Sequence, residues 1–163
     1  MITKFNSLTK YLPLIENDTY GEWQGGETEN GEYGMPYVSY TPAANGLRRA
    51  IYDFAKNNKA YNLYKYKDVF AEKGISPGDD ILNYDTENAD AETVLCMMMY
   101  VVSTDRFIEG KYIQYLSEGC FAKWLKRLKE IDRLSIISEI DKAIKEVWLN
   151  EICQEYGEGN LVR

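Results

Sequence analysis

The residues with the clearest potential for chemistry are two arginines and a glutamate in the C-terminal half of the chain, Arg106, Glu109 and Arg127. Arg106 and Glu109 are three residues apart, so on a helix they share a face and can form an ion pair. With Arg127 they could converge on a small anion or a nucleotide, and Trp23 and Tyr37 could stack nearby. The simpler interpretation, which we favour, is a salt bridge between two helices beside a solvated basic face.

Histidine is absent from the 163 residues, whereas tyrosine occurs fourteen times. The absence excludes Ser-His and Cys-His nucleophiles and every histidine-ligated zinc site. The three cysteines are far apart and form no paired motif. We therefore expect no metal ion and no cofactor, and we favour a binding function over catalysis. Tyrosine suits recognition because it offers a rigid contact surface with a polar tip.

Charge is distributed unevenly along the chain. Residues 16–32 and residues 79–92 each carry six acids and no base, whereas residues 48–73 carry seven bases and three acids. The net charge of −7 argues against extensive phosphate binding. One interpretation is solvated loops and a basic helix face. The other is an acidic surface that binds a second protein with a basic surface, as small acidic inhibitors from phages and mobile elements do. The candidate binding residues are Glu22, Trp23, Glu27, Glu29, Glu32, Tyr37 and Tyr40.

A third possibility is nucleic-acid binding through one helix face between Lys123 and Arg133. Its bases are Lys123, Lys126, Arg127, Lys129 and Arg133. The interleaved Glu130 and Asp132 and the negative net charge count against this possibility.

A β-hairpin is predicted near the N-terminus. Residues 17–34 contain five glycines, and aromatic and β-branched residues occur at 20–24 and at 36–40, on the two sides of the glycine-rich acidic tip. We expect residues 16–34 to form a mobile acidic loop at this hairpin, because glycine raises the conformational entropy of a free loop. Around it, the spacing of apolar residues predicts a mostly α domain.

Helices are predicted on both sides of the hairpin. Four apolar residues before it have helical spacing, although Pro13 should end that helix. They are Phe5, Leu8, Leu12 and Ile15. After it, Thr41 is a predicted N-cap, with Pro42 at the first helical position.

Two further helices are predicted in the middle of the chain. One runs from Asn62 to Lys73, with Gly74 at its C-terminal end. The other is capped by Asp90 and runs from Ala91 to Thr104. Because this second helix is apolar on every side, we expect it to lie in the core.

Three more helices are predicted in the C-terminal part. Asp105 caps the first, and Gly119 ends it. Its inward-facing residues are Phe107, Ile108, Tyr112, Tyr115 and Leu116. The second presents the apolar stripe Phe121, Trp124, Leu125, Leu128 and Ile131. The third presents an apolar stripe that we also expect to face the core, with Ile144 at its centre: Ile136, Ile137, Ile140, Ala143, Ile144, Val147, Trp148 and Ile152. Residues 157–163 are expected to fray.

The cysteines and the short apolar runs lead us to expect a cytoplasmic protein. Cys96, Cys120 and Cys153 each lie in an apolar helical stretch, so we expect three buried thiols in a reducing cytoplasm. The first residues lack the apolar stretch of a signal peptide. The longest apolar run, Val94 to Val102, is too short to span a bilayer.

Short motifs in residues 104–131 resemble a family of bacterial and phage proteins with a domain of unknown function. They are Arg106-Phe107 with Gly110, Leu116 with Gly119, and Leu125 with Arg127-Leu128-Lys129. Phe5, Tyr11-Leu12-Pro13 and Gly21-Glu22-Trp23 are similar to the start of that family. The resemblance implies one mostly helical domain and supplies no activity. The predicted fold is thus a single mostly α domain, a bundle of about six helices with a small N-terminal β-hairpin. Gly110 indicates a close approach by another helix or a ligand.

Overall fold

The structure, a computed structural model, describes residues 3–17 and 19–157. It is mostly α-helical with one antiparallel hairpin near the N-terminus, so the predicted fold class is confirmed. The helices before and after the hairpin are α1 (Asn6–Thr9), α2 (Leu12–Asn17), α3 (Pro42–Asn57), α4 (Tyr66–Lys73), α5 (Asp79–Leu82), α6 (Ala91–Thr104), α7 (Lys111–Ser117) and α8 (Cys120–Gly157). The strands are β1 (Gly21–Glu27) and β2 (Tyr33–Tyr40), and a 3-10 turn, Leu63–Lys65, precedes α4.

Pro13 lies in the first turn of a helix, whereas the sequence predicted that a helix ends at this residue. It is the second residue of α2, where its missing N–H would have no partner in any case. The four apolar residues of this region are all buried, as their spacing indicates. The start of α1 is fixed to α8 by Asp132, whose carboxylate accepts hydrogen bonds from the N–H groups of Lys4 (3.1 Å) and Phe5 (3.0 Å).

The hairpin is more regular than predicted. Its register pairs Gly21 with Tyr40 and Glu27 with Tyr33, with an irregularity at Gly25, which has φ of +84°. Thr28 closes the turn, because its N–H and its hydroxyl both donate to the carbonyl of Glu32. Much of the segment predicted as a loop is therefore strand.

Three of the predicted helix ends around the core are confirmed, whereas the helix predicted from Asn62 begins with a 3-10 turn and is α-helical only from Tyr66. Thr41 accepts the N–H of Ala44 at the start of α3, and Asp90 accepts the N–H of Thr93 at 2.8 Å at the start of α6. Gly74 follows α4 in the left-handed conformation, with φ of +65°. These residue types supply the hydrogen bonds and the positive φ that helix ends require.

Helix α6 is the centre of the core. All of its residues from Thr93 to Val102 are buried, and the helix contacts α3, α4, α7 and α8. A helix that is apolar all round requires such enclosure, so this prediction is confirmed.

The predicted helix from Asp105 to Gly119 is wrong in its first part. Residues 105–110 form a turn, and α7 begins only after Gly110, which has φ of +85°. Phe107 and Ile108 were predicted to face inward, but they are 86% and 56% exposed. Asp105 still serves a helix start, since its carboxylate accepts the N–H of Tyr112, the second residue of α7, at 2.8 Å.

The two predicted C-terminal helices are one helix of 38 residues, α8. No glycine or proline interrupts the chain between Cys120 and Tyr156, so nothing in the backbone breaks the helix. Its first part is packed in the core as far as Asp132. From Arg133 to Tyr156, every residue is exposed except Ile136, which is half-buried.

The predicted inward orientation of the last apolar stripe is therefore wrong. Its members from Ile137 to Ile152 protrude beyond the body of the domain, and Ile144 is 50% exposed. Cys153, predicted to be buried, is also exposed, whereas Cys96 and Cys120 are buried. All three thiols are free. The predicted frayed tail, apart from Gly157 at the end of α8, lies outside the described residues.

Candidate functional site

The hairpin is attached to the helical body through Asp105. This carboxylate is 4% exposed and accepts hydrogen bonds from the hydroxyl of Tyr40 at 3.0 Å and from Nη2 of Arg48 at 3.0 Å. The Tyr40 hydroxyl in turn accepts the N–H of Ile113 at 3.3 Å. Burial and the neighbouring Asp105 carboxylate both raise the pKa of Tyr40. The end of β2 is thereby held on the start of α7 by hydrogen bonds shielded from water.

A second attachment lies in the turn before α7. Glu109 Oε1 accepts the N–H of Val38 at 2.7 Å, and the indole of Trp23 lies against Gly110. A Cβ at Gly110 would lie 2.2 Å from that indole, so only glycine fits beneath it. The close approach predicted at Gly110 is therefore made by the hairpin.

The two faces of the hairpin differ. Trp23 is paired with Val38, and directly opposed residues share a face, so this pair lies on the side toward the body, where Val38 is buried and Trp23 contacts Gly110 but stays 55% exposed. Side chains alternate along a strand, so Tyr33, Met35 and Tyr37 lie on the outward face. They are 75%, 88% and 54% exposed. Tyr33 and Met35 were not among the predicted binding residues, although the alternation with Tyr37 would have indicated them.

The predicted acidic residues surround this outward face. Glu22 and Glu27 lie on β1, and Glu29 and Glu32 lie in the turn. All four are exposed. None of them belongs to the four ion pairs found in the described part of the chain. Of the other predicted binding residues, Tyr37 is on the outward face, whereas Trp23 and Tyr40 attach the hairpin to the body.

The structure does not assemble the three residues of the alternative anion site in one contact. Glu109 is occupied by β2, and Nε of Arg127 donates to the carbonyl of Ala89 at 2.9 Å. Arg106 is exposed and lies near Tyr52, whose pKa is raised by burial, an effect that the charge of Arg106 only partly opposes. The expected pair between Arg106 and Glu109 is absent from the ion pairs of the described residues, because residues 105–110 form a turn.

The basic face of α8 lies between two grooves of mixed charge. A groove of about 580 Å³ lies between Lys123, Lys126 and Arg127 and the acidic loop at residues 84–87. A groove of about 680 Å³ lies on the other side, between α8 and the N-terminal helices. Lys126 forms an ion pair with Glu16, and Arg133 forms one with Glu130. The acids thus partly neutralise the face proposed for nucleic acid.

Comparison with known proteins gives a family for this architecture. Residues 2–133 match DUF6508, a family of unknown function. The chain belongs to this family. No curated protein and no solved structure matches the chain significantly. The predicted resemblance to a family without an assigned function is thus confirmed, and DUF6508 supplies no activity.

The DUF6508 match ends where α8 leaves the body. Its last residue, Arg133, directly follows Asp132, the last buried residue of α8. The matched region therefore contains the core, the hairpin and both of its attachments, whereas the protruding part of α8 lies beyond it.

Neither a metal-binding cluster nor a membrane-spanning helix is found among the described residues. Among residues 3–17 and 19–157, no group of three or more acidic or cysteine side chains is arranged to hold a metal ion. Within the same residues, no helix has the length and apolar character that a bilayer span requires.

Proposed function

We propose that this DUF6508 protein is a non-catalytic protein-binding module that contacts its partner with the outward face of the hairpin. The observation that carries the proposal is the stripe of Tyr33, Met35 and Tyr37, which is exposed beside carboxylates that take no part in the ion pairs of the described residues. Tyrosine is enriched among the residues that dominate binding energy at interfaces.

The attachments of the hairpin support this role. The end of β2 that follows the face is held from behind at two points, by Asp105 on Tyr40 and by Glu109 on Val38. A surface that is already ordered before binding avoids part of the entropy cost of association. The body of the domain then acts as a scaffold for a two-stranded hairpin, which would be marginally stable alone.

The carboxylates support a partner with a basic surface. Four exposed glutamates lie on or beside the face, and the chain has a net charge of −7. Such a surface attracts a basic partner over a distance and accelerates the encounter. A nucleic-acid-binding enzyme has such a surface, since it binds phosphates. We propose an inhibitor of this kind, of phage or bacterial origin. The buried thiols of Cys96 and Cys120 suit a reducing cytoplasm.

The test is a pair of triple charge reversals, measured against the partner captured from the source cell. Reversal of Glu27, Glu29 and Glu32 to lysine should slow association by roughly tenfold at low salt, because the steering charge is lost. The difference from wild type should shrink as salt is raised. Surface binding kinetics at two salt concentrations measure both effects.

The matched control reverses three exposed acids elsewhere, Glu118, Glu139 and Glu146. It changes the net charge equally and should leave the association rate much closer to that of wild type. Tyr37→Ala should instead accelerate dissociation. Equal effects of the two triple reversals, or no effect of the hairpin reversal, would contradict the proposed surface.

A further inference from the structure

We infer that the protruding part of α8, residues 134–157, is a self-association element that pairs antiparallel with the same segment of a second copy of the chain. The segment is helical throughout, yet its residues as far as Tyr156 are exposed except for the half-buried Ile136. At 1.5 Å per residue it extends roughly 35 Å from the body.

The segment has a continuous apolar row along one side. Ile137, Ile140, Ile144 and Val147 follow one another at intervals of three and four residues, so they share one helix face. Their exposed fractions run from 42% to 55%. Opposite them lie Glu139, Lys142 and Glu146, on the polar face. Helices in water derive most of their stability from the packing of such an apolar face, so this face requires a cover.

The charges at the two ends of the row are opposite. Toward the body, the row continues through Arg133 and Lys129, and toward the end of the helix it continues through Glu151 and Glu155. Lys129 takes part in none of the ion pairs of the described residues, and Arg133 pairs only with the exposed Glu130. A surface that is basic at one end and acidic at the other is complementary to itself when one copy is reversed.

One arrangement satisfies the apolar and the charged residues together. A two-fold axis near Lys142 places Ile140 against Ile144 of the second copy, and each such contact occurs twice, as in any two-fold interface. The same axis places Arg133 opposite Glu151 and Lys129 opposite Glu155. A parallel pair would instead place each charge beside its own copy, which is repulsive.

The body of the domain accommodates this arrangement. With the axis near Lys142, the end of the second copy's helix at Gly157 lies level with Arg127. The groove of about 680 Å³ lies there, on the same side of α8 as the apolar row, and its α8 wall is formed by Lys126, Lys129, Glu130, Asp132, Arg133 and Ile136. The acidic end of one helix thus enters this groove of mixed charge beside Lys129 and Arg133 of the other copy.

Sedimentation velocity of the full chain tests the self-association. We expect a concentration-dependent dimer between roughly 1 and 100 μM, the range of modest protein interfaces. Glu151→Lys should weaken the dimer at least tenfold. The control, Glu146→Lys, makes the same charge change on the polar face and should leave the dimer intact. Adding Arg133→Glu to Glu151→Lys restores opposite charges and should recover the dimer.

The orientation has its own measurement. Cys153 is the one exposed thiol among the described residues and lies away from the apolar row, so it accepts a spin label without blocking the contact. In the antiparallel dimer the two labels should be at least about 33 Å apart, whereas parallel helices would bring them within roughly 20 Å. A protein that stays monomeric, a dimer that Glu146→Lys weakens as much as Glu151→Lys, or the short label distance would each overturn the inference.

Discussion

Helix α8 has two parts with the same sequence pattern and different surroundings. In the first part, Trp124 is 1% exposed and lies against Phe121 and Tyr115 in the core. In the second part, Trp148 is 64% exposed, and its helical neighbours along the apolar face are exposed as well. Both parts repeat apolar residues every three or four positions. The spacing of apolar residues therefore specifies which face of a helix must be buried. The rest of the fold determines whether that face is buried within the same chain.

The largest expected difference between the two parts concerns the tryptophans. Trp124→Ala should lower the free energy of unfolding by about 3–5 kcal/mol, because it removes a large buried side chain and leaves a cavity. Trp148→Ala should change the stability of the body by no more than about 0.5 kcal/mol, as surface substitutions do. Denaturant unfolding followed by circular dichroism, at low protein concentration, compares the two variants. Similar losses would show that the protruding part is packed on the body in solution.

A smaller difference is expected for two arginines of the same helix. Arg127→Ala should cost about 1–3 kcal/mol, because it leaves the buried carbonyl of Ala89 without its hydrogen bond. Arg133→Ala should leave the melting temperature of the body unchanged, since its pair with Glu130 is solvent-exposed. Thermal unfolding of both variants measures the contrast at a protein concentration below the dimerisation range, where the proposed contact of Arg133 with a second copy does not contribute. A clear loss for Arg133→Ala alone would place the boundary of the packed part further along α8.

The fold was predictable from sequence where local rules decide the outcome. Thr41, Gly74 and Asp90 mark helix ends, because hydrogen bonding and positive φ restrict the residue types that fit there. Helix α6 was predicted to be buried because no face of it is polar. The exposure of Phe107 and Ile108 was not predictable in this way. The predicted helix contained Gly110, whereas Gly110 precedes α7 and residues 105–110 form a turn.

The candidate site was predictable only in part. The pattern of glycines and aromatic residues predicted the position of the hairpin, and the run of acids between them predicted its exposed glutamates. Asp105 and Arg48, which attach the hairpin to the body, were not linked to it by any local pattern, since Tyr40 and Asp105 are 65 residues apart in the chain. The helical spacing of Arg106 and Glu109 suggested a pair, but tertiary structure placed Glu109 on the backbone of Val38.

The smallest expected effect is a difference in reactivity between two cysteines at the two ends of α8. Cys120 is the first residue of α8 and is buried, and burial raises the pKa of its thiol. Cys153 lies near the other end and is exposed. Because the thiolate is the reactive form, Cys153 should react with a disulfide reagent within seconds to minutes at pH 8 in the folded protein. Cys120 and Cys96 should react only as the protein unfolds.

Cys153→Ser is the control and should remove the fast phase while leaving the melting temperature unchanged. Protection of Cys153 at all protein concentrations would mean that the end of α8 is covered by its own chain.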